Sequence, residues 1–386
     1  MKCLYFYNLI FLSIVINIGF GIVIPVMPLI IGEGSGTSIL GVPFISLVIG
    51  RLTSKKVTGI LINKGFGKNI LSICFLAYSA TFLMYSLETS IYLIAFYRFI
   101  EGVIEGVVVI CLTALAVEAT NKDPERGKKM GFFGASFGLG MVLGPVIGSF
   151  IFSYYSYRYV FFFASLFGFI GFLISVFLRK HFCISNSADG KTIIKIGGVE
   201  ELRLLGVYIP SIVRRFTLFS CMLIAPVYVV QSLNGDVKDV GVMFSLSGII
   251  STLLMPFMGV LADKFDPLKI SSISMFIMGF CFLLMSMSNE FYVFVFFFCI
   301  ETIVFTMMLP SGLKQFGDVV DNFGERVSVI GRFSIYTEFS TIFLAIVVSF
   351  FIGVESYFSW VFVSVVCMVL SVLYFFSVVS IRKFYK

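Results

Sequence analysis

At 386 residues, 59% hydrophobic and 13% charged, with a mean hydropathy of +1.05, the chain is far too apolar for a soluble globular domain. Apolar runs of ~20 residues recur along the whole length, each long enough to cross a ~30 Å hydrocarbon core as a helix, which excludes a soluble enzyme carrying a single anchor. The net charge of +7 is distributed by membrane side rather than gathered into one patch, so it gives no nucleic-acid partner.

Apolar windows set against charged breaks predict twelve helices, centred near residues 17, 49, 78, 102, 141, 168, 219, 249, 279, 302, 340 and 369. The first follows only Lys2 and precedes no small-residue cleavage site, so it is expected as a retained span. Pro25 and Pro28 in helix 1, with Pro210 and Pro226 in helix 7, are expected to break their helices beside a cavity. The polar stretch 181–203 reads as a linker, dividing the chain into bundles over 1–180 and 204–386. The expectation is an all-α integral membrane protein of twelve transmembrane helices in two pseudo-symmetric six-helix bundles. Lys55, Lys56, Lys64, Lys68, Lys122, Lys128, Lys129, Lys264 and Lys269 fall in alternate loops, whereas the other loops hold only Arg158 and Lys238. By the positive-inside rule both termini are cytoplasmic.

Helix 4 carries three ionisable groups where lipid is expected. Arg98, Glu101 and Glu105 follow i, i+3, i+7 spacing and line one face. At 1.5 Å per residue Glu101 lies ~16 Å inside the membrane, Glu301 of helix 10 ~15 Å, and Glu338 of helix 11 at a similar depth. Arg51, Arg98, Arg214, Arg215 and Arg332 are the intramembrane cations. A charge at this depth costs several kcal/mol unless paired or wetted, which points to a substrate or proton pathway. Arginine keeps its proton, leaving Glu101, Glu105, Glu301 and Glu338 as proton carriers, with Glu101 foremost and Arg98 its partner. Permanent ion pairs that fix helix register are the alternative.

A repeat shows at a shift of 200 residues. Gly59 to Lys64 recurs as Gly259 to Lys264, Ile100-Glu101 as Ile300-Glu301, Glu125-Arg126 as Glu325-Arg326, and Gly131 as Gly331. Gly140, Gly144 and Gly148, spaced by four beside Pro145, open one face of helix 5 to a close neighbour.

These residues resemble the major facilitator superfamily, in particular its drug:proton antiporter branch. Gly59-x-x-x-Asn63-Lys64-x-x-Gly67-Lys68 is similar to the family's loop between helices 2 and 3, with Asn63 in place of an acid. Arg98-x-x-Glu101-Gly102 is similar to the helix 4 pattern Arg-x-x-Gln-Gly. Gly140-x-x-x-Gly144-Pro145-x-x-Gly148 resembles the antiporter motif, and Gly19-x-Gly21-x-x-x-Pro25-x-x-Pro28 the antiporters' first helix. The branch often has an acid where Ile16 stands here, so coupling through Glu101 or Glu105 is expected instead, the alternative being a carrier without proton coupling. The resemblance implies that helix 5 seals the bundles against leak. It also implies a cytoplasmic latch at Gly59, Asn63, Lys64, Gly67, Gly259, Asp263 and Lys264, pairing Lys64 with Glu125 and Asp263 with Arg326; topology-setting charge is the alternative.

Enzymatic readings fail on the residues. The aspartates lie in predicted loops or at helix ends, and one histidine and scattered cysteines hold no metal or other cofactor. The expected function is secondary transport of a small molecule across the cytoplasmic membrane by a multi-pass monomer in a lipid bilayer. Proton-coupled efflux leads; proton-coupled uptake of a nutrient is the alternative, and a receptor or scaffold a remote one.

Overall fold

A computed structural model describes residues 2–30, 41–64, 66–87, 90–120, 126–178, 198–323, 336–343, 346–347 and 356–382. Twelve α-helical stretches are present among them, one for each predicted centre. They are α1 Lys2–Val23, α2 Gly41–Asn63, α3 Ile70–Tyr85, α4 Ile91–Ala119, α5 Arg126–Tyr154 and α6 Tyr157–Leu178, then α7 Gly198–Gln231, α8 Val237–Lys264, α9 Pro267–Ser286 and α10 Phe291–Phe323, α11 over 336–343, and α12 Ser356–Arg382. Nine helices among the described residues are long and apolar enough to cross a membrane, and the shorter α3 is apolar too. The start of α4 at Ile91 and of α10 at Phe291 reproduces the 200-residue repeat to the residue.

Burial is distributed as a lipid solvent requires. Large apolar side chains such as Phe162, Phe257 and Phe296 are exposed, whereas Ser13, Ser136, Ser175 and Ser271 are fully or almost fully buried. Outside lipid offers no hydrophobic drive for helix association, so small residues and hydroxyls hold the helices to one another. Ser13 and Ser136 tie α1 to α5 at 2.8 Å, Ser72 and Ser175 tie α3 to α6 at 3.0 Å, and Ser271 and Ser311 tie α9 to α10 at 3.1 Å. Ser371 Oγ donates to the Ser272 carbonyl at 2.8 Å, linking α9 to α12 as Ser72 and Ser175 link α3 to α6.

Contacts divide the chain into two compact units, Met1–Gly190 with Asp236–Gly248, and Lys191–Gly235 with Ile249–Lys386. In the first, α2 packs along α4, α1 along α5 and α6, and α3 against α6 and α4. The opening turns of α8 belong to this unit: Ser245 Oγ donates to the Val142 carbonyl at 2.6 Å, and Gly241 faces Pro145 and Ser149. In the second, α9 packs against α10 and α12, and α7 against α10 and α12.

Three expectations meet different outcomes. Helix 1 does break at its proline: residues 24–26 form a turn after α1, with the Val26 amide reaching back to the Val23 carbonyl at 3.2 Å, before 27–30 resume helical geometry. Helix 7 does not, because α7 runs unbroken through Pro210 and Pro226. Packing on both flanks outweighs the missing donors, which neighbouring helices make tolerable in lipid. Finally, 198–203 of the expected linker are the first turns of α7, and the remainder of that stretch lies outside the described residues.

Candidate functional site

The charged face of α4 is assembled by close packing on α2. A side chain at Gly102 would strike the Leu47 carbonyl, one at Gly106 the Ser54 hydroxyl, and one at Gly50 the Phe99 carbonyl. Glycines on both helices thus bring the backbones into contact, and the long side chains at either end of this seam bridge it. At one end Arg51 of α2 grips Glu105 with a fork, Nε to Oε2 at 2.7 Å and Nη2 to Oε1 at 2.6 Å, each side chain 20% exposed. At the other, Arg98 Nη1 donates to both oxygens of Glu101, at 2.9 and 3.1 Å, and its guanidinium stands 5.6 Å from the centre of the Phe44 ring. Tyr85 at the end of α3 donates its hydroxyl to Glu101 Oε2 at 2.9 Å. Glu101 is 3% exposed, with Arg98 donating to both of its oxygens and Tyr85 to one of them. Tyr78, one α3 face with Tyr85, is also fully buried; its hydroxyl abuts Gly19 of α1 and finds no hydrogen-bond partner among the described residues.

The second unit has a different arrangement. Glu301 of α10 is 4% exposed and has no hydrogen-bond or ion-pair partner among the described residues. Its electrostatic neighbours are the buried thiols of Cys221 on α7, Cys281 on α9 and Cys367 on α12. One helical turn on, Phe305 receives the Arg214 guanidinium over its ring at 5.4 Å. Arg215 Nη2 donates to Glu338 Oε1 of α11 at 3.1 Å, while Glu338 Oε2 is buried without a partner among the described residues.

Of the residues singled out from sequence, the structure brings together Arg98 with Glu101, Arg51 with Glu105, and Arg215 with Glu338. Arg98 does not reach Glu105, although the two share a helix face. Arg332, Glu125 and Arg326 lie outside the described residues, as do the side chains of Asn63 and Asp263. Of the remaining latch residues, Lys64 and Lys264 are exposed, Gly67 is buried in the 3-10 turn Phe66–Lys68, and Gly59 and Gly259 face open space. Gly140, Gly144 and Gly148 receive α1: side chains there would meet Asn17 and Ile18, Gly21, and the Ile22 carbonyl respectively. Gly21 in turn faces Gly140, Gly144 and Pro145, whereas Gly19 is filled by Tyr78. Asn17, beside the vacant acid position of helix 1, spends its amide on its own Ser13 carbonyl at 2.7 Å. Sequence reasoning missed Tyr85, Phe44 and Phe305. Only Phe305 carried a signal, standing four residues from Glu301 in the place of Glu105.

The Major Facilitator Superfamily sequence profile matches residues 9–215 and 207–383. The chain belongs to the Major Facilitator Superfamily. Two solved structures share this member's fold over nearly their full lengths. A point mutant of nucleoside transporter NupG superposes with a TM-score of 0.80 at 14% identity, covering 97% of this chain and 99% of that one. Nucleoside transporter NupG itself gives 0.74 at 13% identity, covering 96% and 98%. Among curated proteins no sequence relative is found. Membership makes the protein a multi-pass membrane transporter of a small molecule and not an enzyme. At such remote identities these two structures show the fold alone, and they give no support to the narrower likeness to drug:proton antiporters.

Proposed function

We propose that this transporter is a proton-coupled secondary carrier working by alternating access, with Glu301 as the group that binds and releases the proton. The observation that supports it is a carboxyl 4% exposed, ten residues into α10, with no partner among the described residues. That is ~15 Å along the helix, near the midplane. A carboxyl in such surroundings is costly as an anion and tolerated as the neutral acid, so its burial and its proton are linked. Glu101 and Glu105, held by arginines, are read as the pairs that fix α4. Uptake into the cytoplasm is the direction proposed, the similar folds being those of nucleoside transporters. Efflux is the second reading, favoured by the pattern Gly140, Gly144, Pro145 and Gly148. The protein is read as a monomer in the cytoplasmic membrane with both termini inside.

The test is solute-driven proton flux in proteoliposomes under an imposed pH gradient. Glu301→Gln should abolish proton flux while retaining solute exchange at equal pH. Glu101→Gln should retain proton flux if its protein inserts and folds. Unchanged proton flux in Glu301→Gln defeats the assignment. Parallel movement of proton and solute supports uptake; opposed movement supports efflux.

A further inference from the structure

We infer that Arg214 forms an anion-binding site and that the transported solute carries a negative charge. The second unit holds two adjacent arginines on α7, and only Arg215 is given a carboxylate, Glu338 at 3.1 Å. Arg214 has no hydrogen-bond or ion-pair partner among the described residues. It stands six residues into the apolar segment Tyr208–Gln231, ~9 Å along it. Its guanidinium is laid over Phe305, on α10. A ring face takes up none of the guanidinium's N–H donors, whose planar fork binds carboxylate or phosphate oxygens bidentately.

The charge balance of the unit points the same way. Arg215 is neutralised by Glu338, and Glu301 lies one turn along α10 from the ring that carries Arg214, since Phe305 is four residues on. When Glu301 takes a proton it can offer Arg214 no countercharge. A guanidinium at this depth then requires an anion from elsewhere, and the carrier's own cargo is the one that comes and goes with the cycle. An anion with one proton is thereby carried with no net charge left on Arg214, Arg215, Glu301 and Glu338 together. This step rests on the proton-coupled reading; the anion site itself does not.

The experiment measures binding without any proton gradient. Detergent-solubilised protein is unfolded by heat in the presence of benzoate, nicotinate, lactate or inorganic phosphate, and of benzamide, nicotinamide or lactamide as neutral matches, with sodium chloride at equal ionic strength throughout. Ligand that binds the folded state raises the unfolding temperature by mass action. At least one anion should stabilise the protein where its amide does not. Arg214→Gln should raise the half-saturating concentration by roughly tenfold or more, the equivalent of one charge-assisted hydrogen bond, and Arg214→Lys by less. Glu301→Gln should keep anion binding, so loss of proton coupling and loss of the anion site are separable. If Arg214→Gln does not fold, Phe305→Leu removes the platform and should weaken the same anion. Stabilisation by no anion, equal stabilisation by the amides, or unchanged affinity in the Arg214 and Phe305 variants overturns the proposal.

Discussion

Glu101 and Glu301 occupy the same place in the two halves, ten residues into α4 and α10, and are 3% and 4% exposed. Their surroundings are opposite in kind. Where Glu101 has Arg98 one turn back and Tyr85 across on α3, the repeat gives Glu301 Phe298 and Met285, both buried and neither able to donate. Arg51, which forks onto Glu105, has Ser251 at its repeat position, and there the Thr306 hydroxyl donates to the Ser251 hydroxyl at 3.0 Å. Phe305, in the position of Glu105, supports a cation through its ring face. A duplicated scaffold therefore fixes where a carboxyl is buried, while the side chains around it decide whether it meets a charged partner. Among the described residues, the first unit pairs Glu101 and Glu105 with arginines, while in the second Glu301 and Arg214 have no ion-pair partner.

Removing the pinning cation should have the largest effect. Arg98→Leu leaves Glu101 buried with only Tyr85, and stripping one member from a buried pair costs about 3–5 kcal/mol. Thermal unfolding in detergent should show a large drop, while Glu101→Gln, which can still accept from Tyr85, should be milder. Equal stabilities of Arg98→Leu and wild type would remove the distinction between the two halves.

The reverse experiment gives Glu301 the surroundings of Glu101. Phe298→Arg together with Met285→Tyr supplies the missing cation and donor at the repeat positions. Under the proposed coupling, proton flux in proteoliposomes should fall roughly ten- to hundredfold, the equivalent of a charge-assisted hydrogen bond worth ~1.5–3 kcal/mol to the ionised form. Undiminished flux would show that the partners of Glu301 do not govern its proton.

Much of this was legible in the chain itself. The twelve helices followed from apolar windows, and the equivalence of Glu101 and Glu301 from a fixed offset of 200 residues. The i, i+3 spacing gave the Arg98–Glu101 pair, because that contact is local to one helix. Contacts between helices were another matter. Arg51 and Glu105 are 54 residues apart, and nothing in either run says that glycines at 50, 102 and 106 draw their helices together until the packing is known. Tyr85 was hidden for a geometric reason: a simple hairpin of α3 and α4 would place Glu101 opposite the middle of α3, not its last residue. The prolines of α7 misled because a missing donor breaks a helix only where packing does not hold it straight. The proposed latch depends on Glu125 and Arg326, which are outside the described residues.

The smallest expected effect tests whether the contacts at Arg51 and at its repeat position Ser251 differ in kind or only in strength. Thr306→Val removes the hydroxyl that meets Ser251 but keeps the branched shape of the side chain. Hydrogen bonds between helices in lipid average ~0.6 kcal/mol, since the separated helices also find partners, so the unfolding temperature should fall only slightly and proton flux should be unchanged. Glu105→Leu in the first unit leaves the Arg51 guanidinium without its carboxylate, with side chains only 20% exposed, and should cost several times more. Similar losses for the two variants would mean that water reaching Arg51 screens the fork to the strength of a hydroxyl pair. In that case the charge that pins the first unit resides in Arg98, Glu101 and Tyr85 alone.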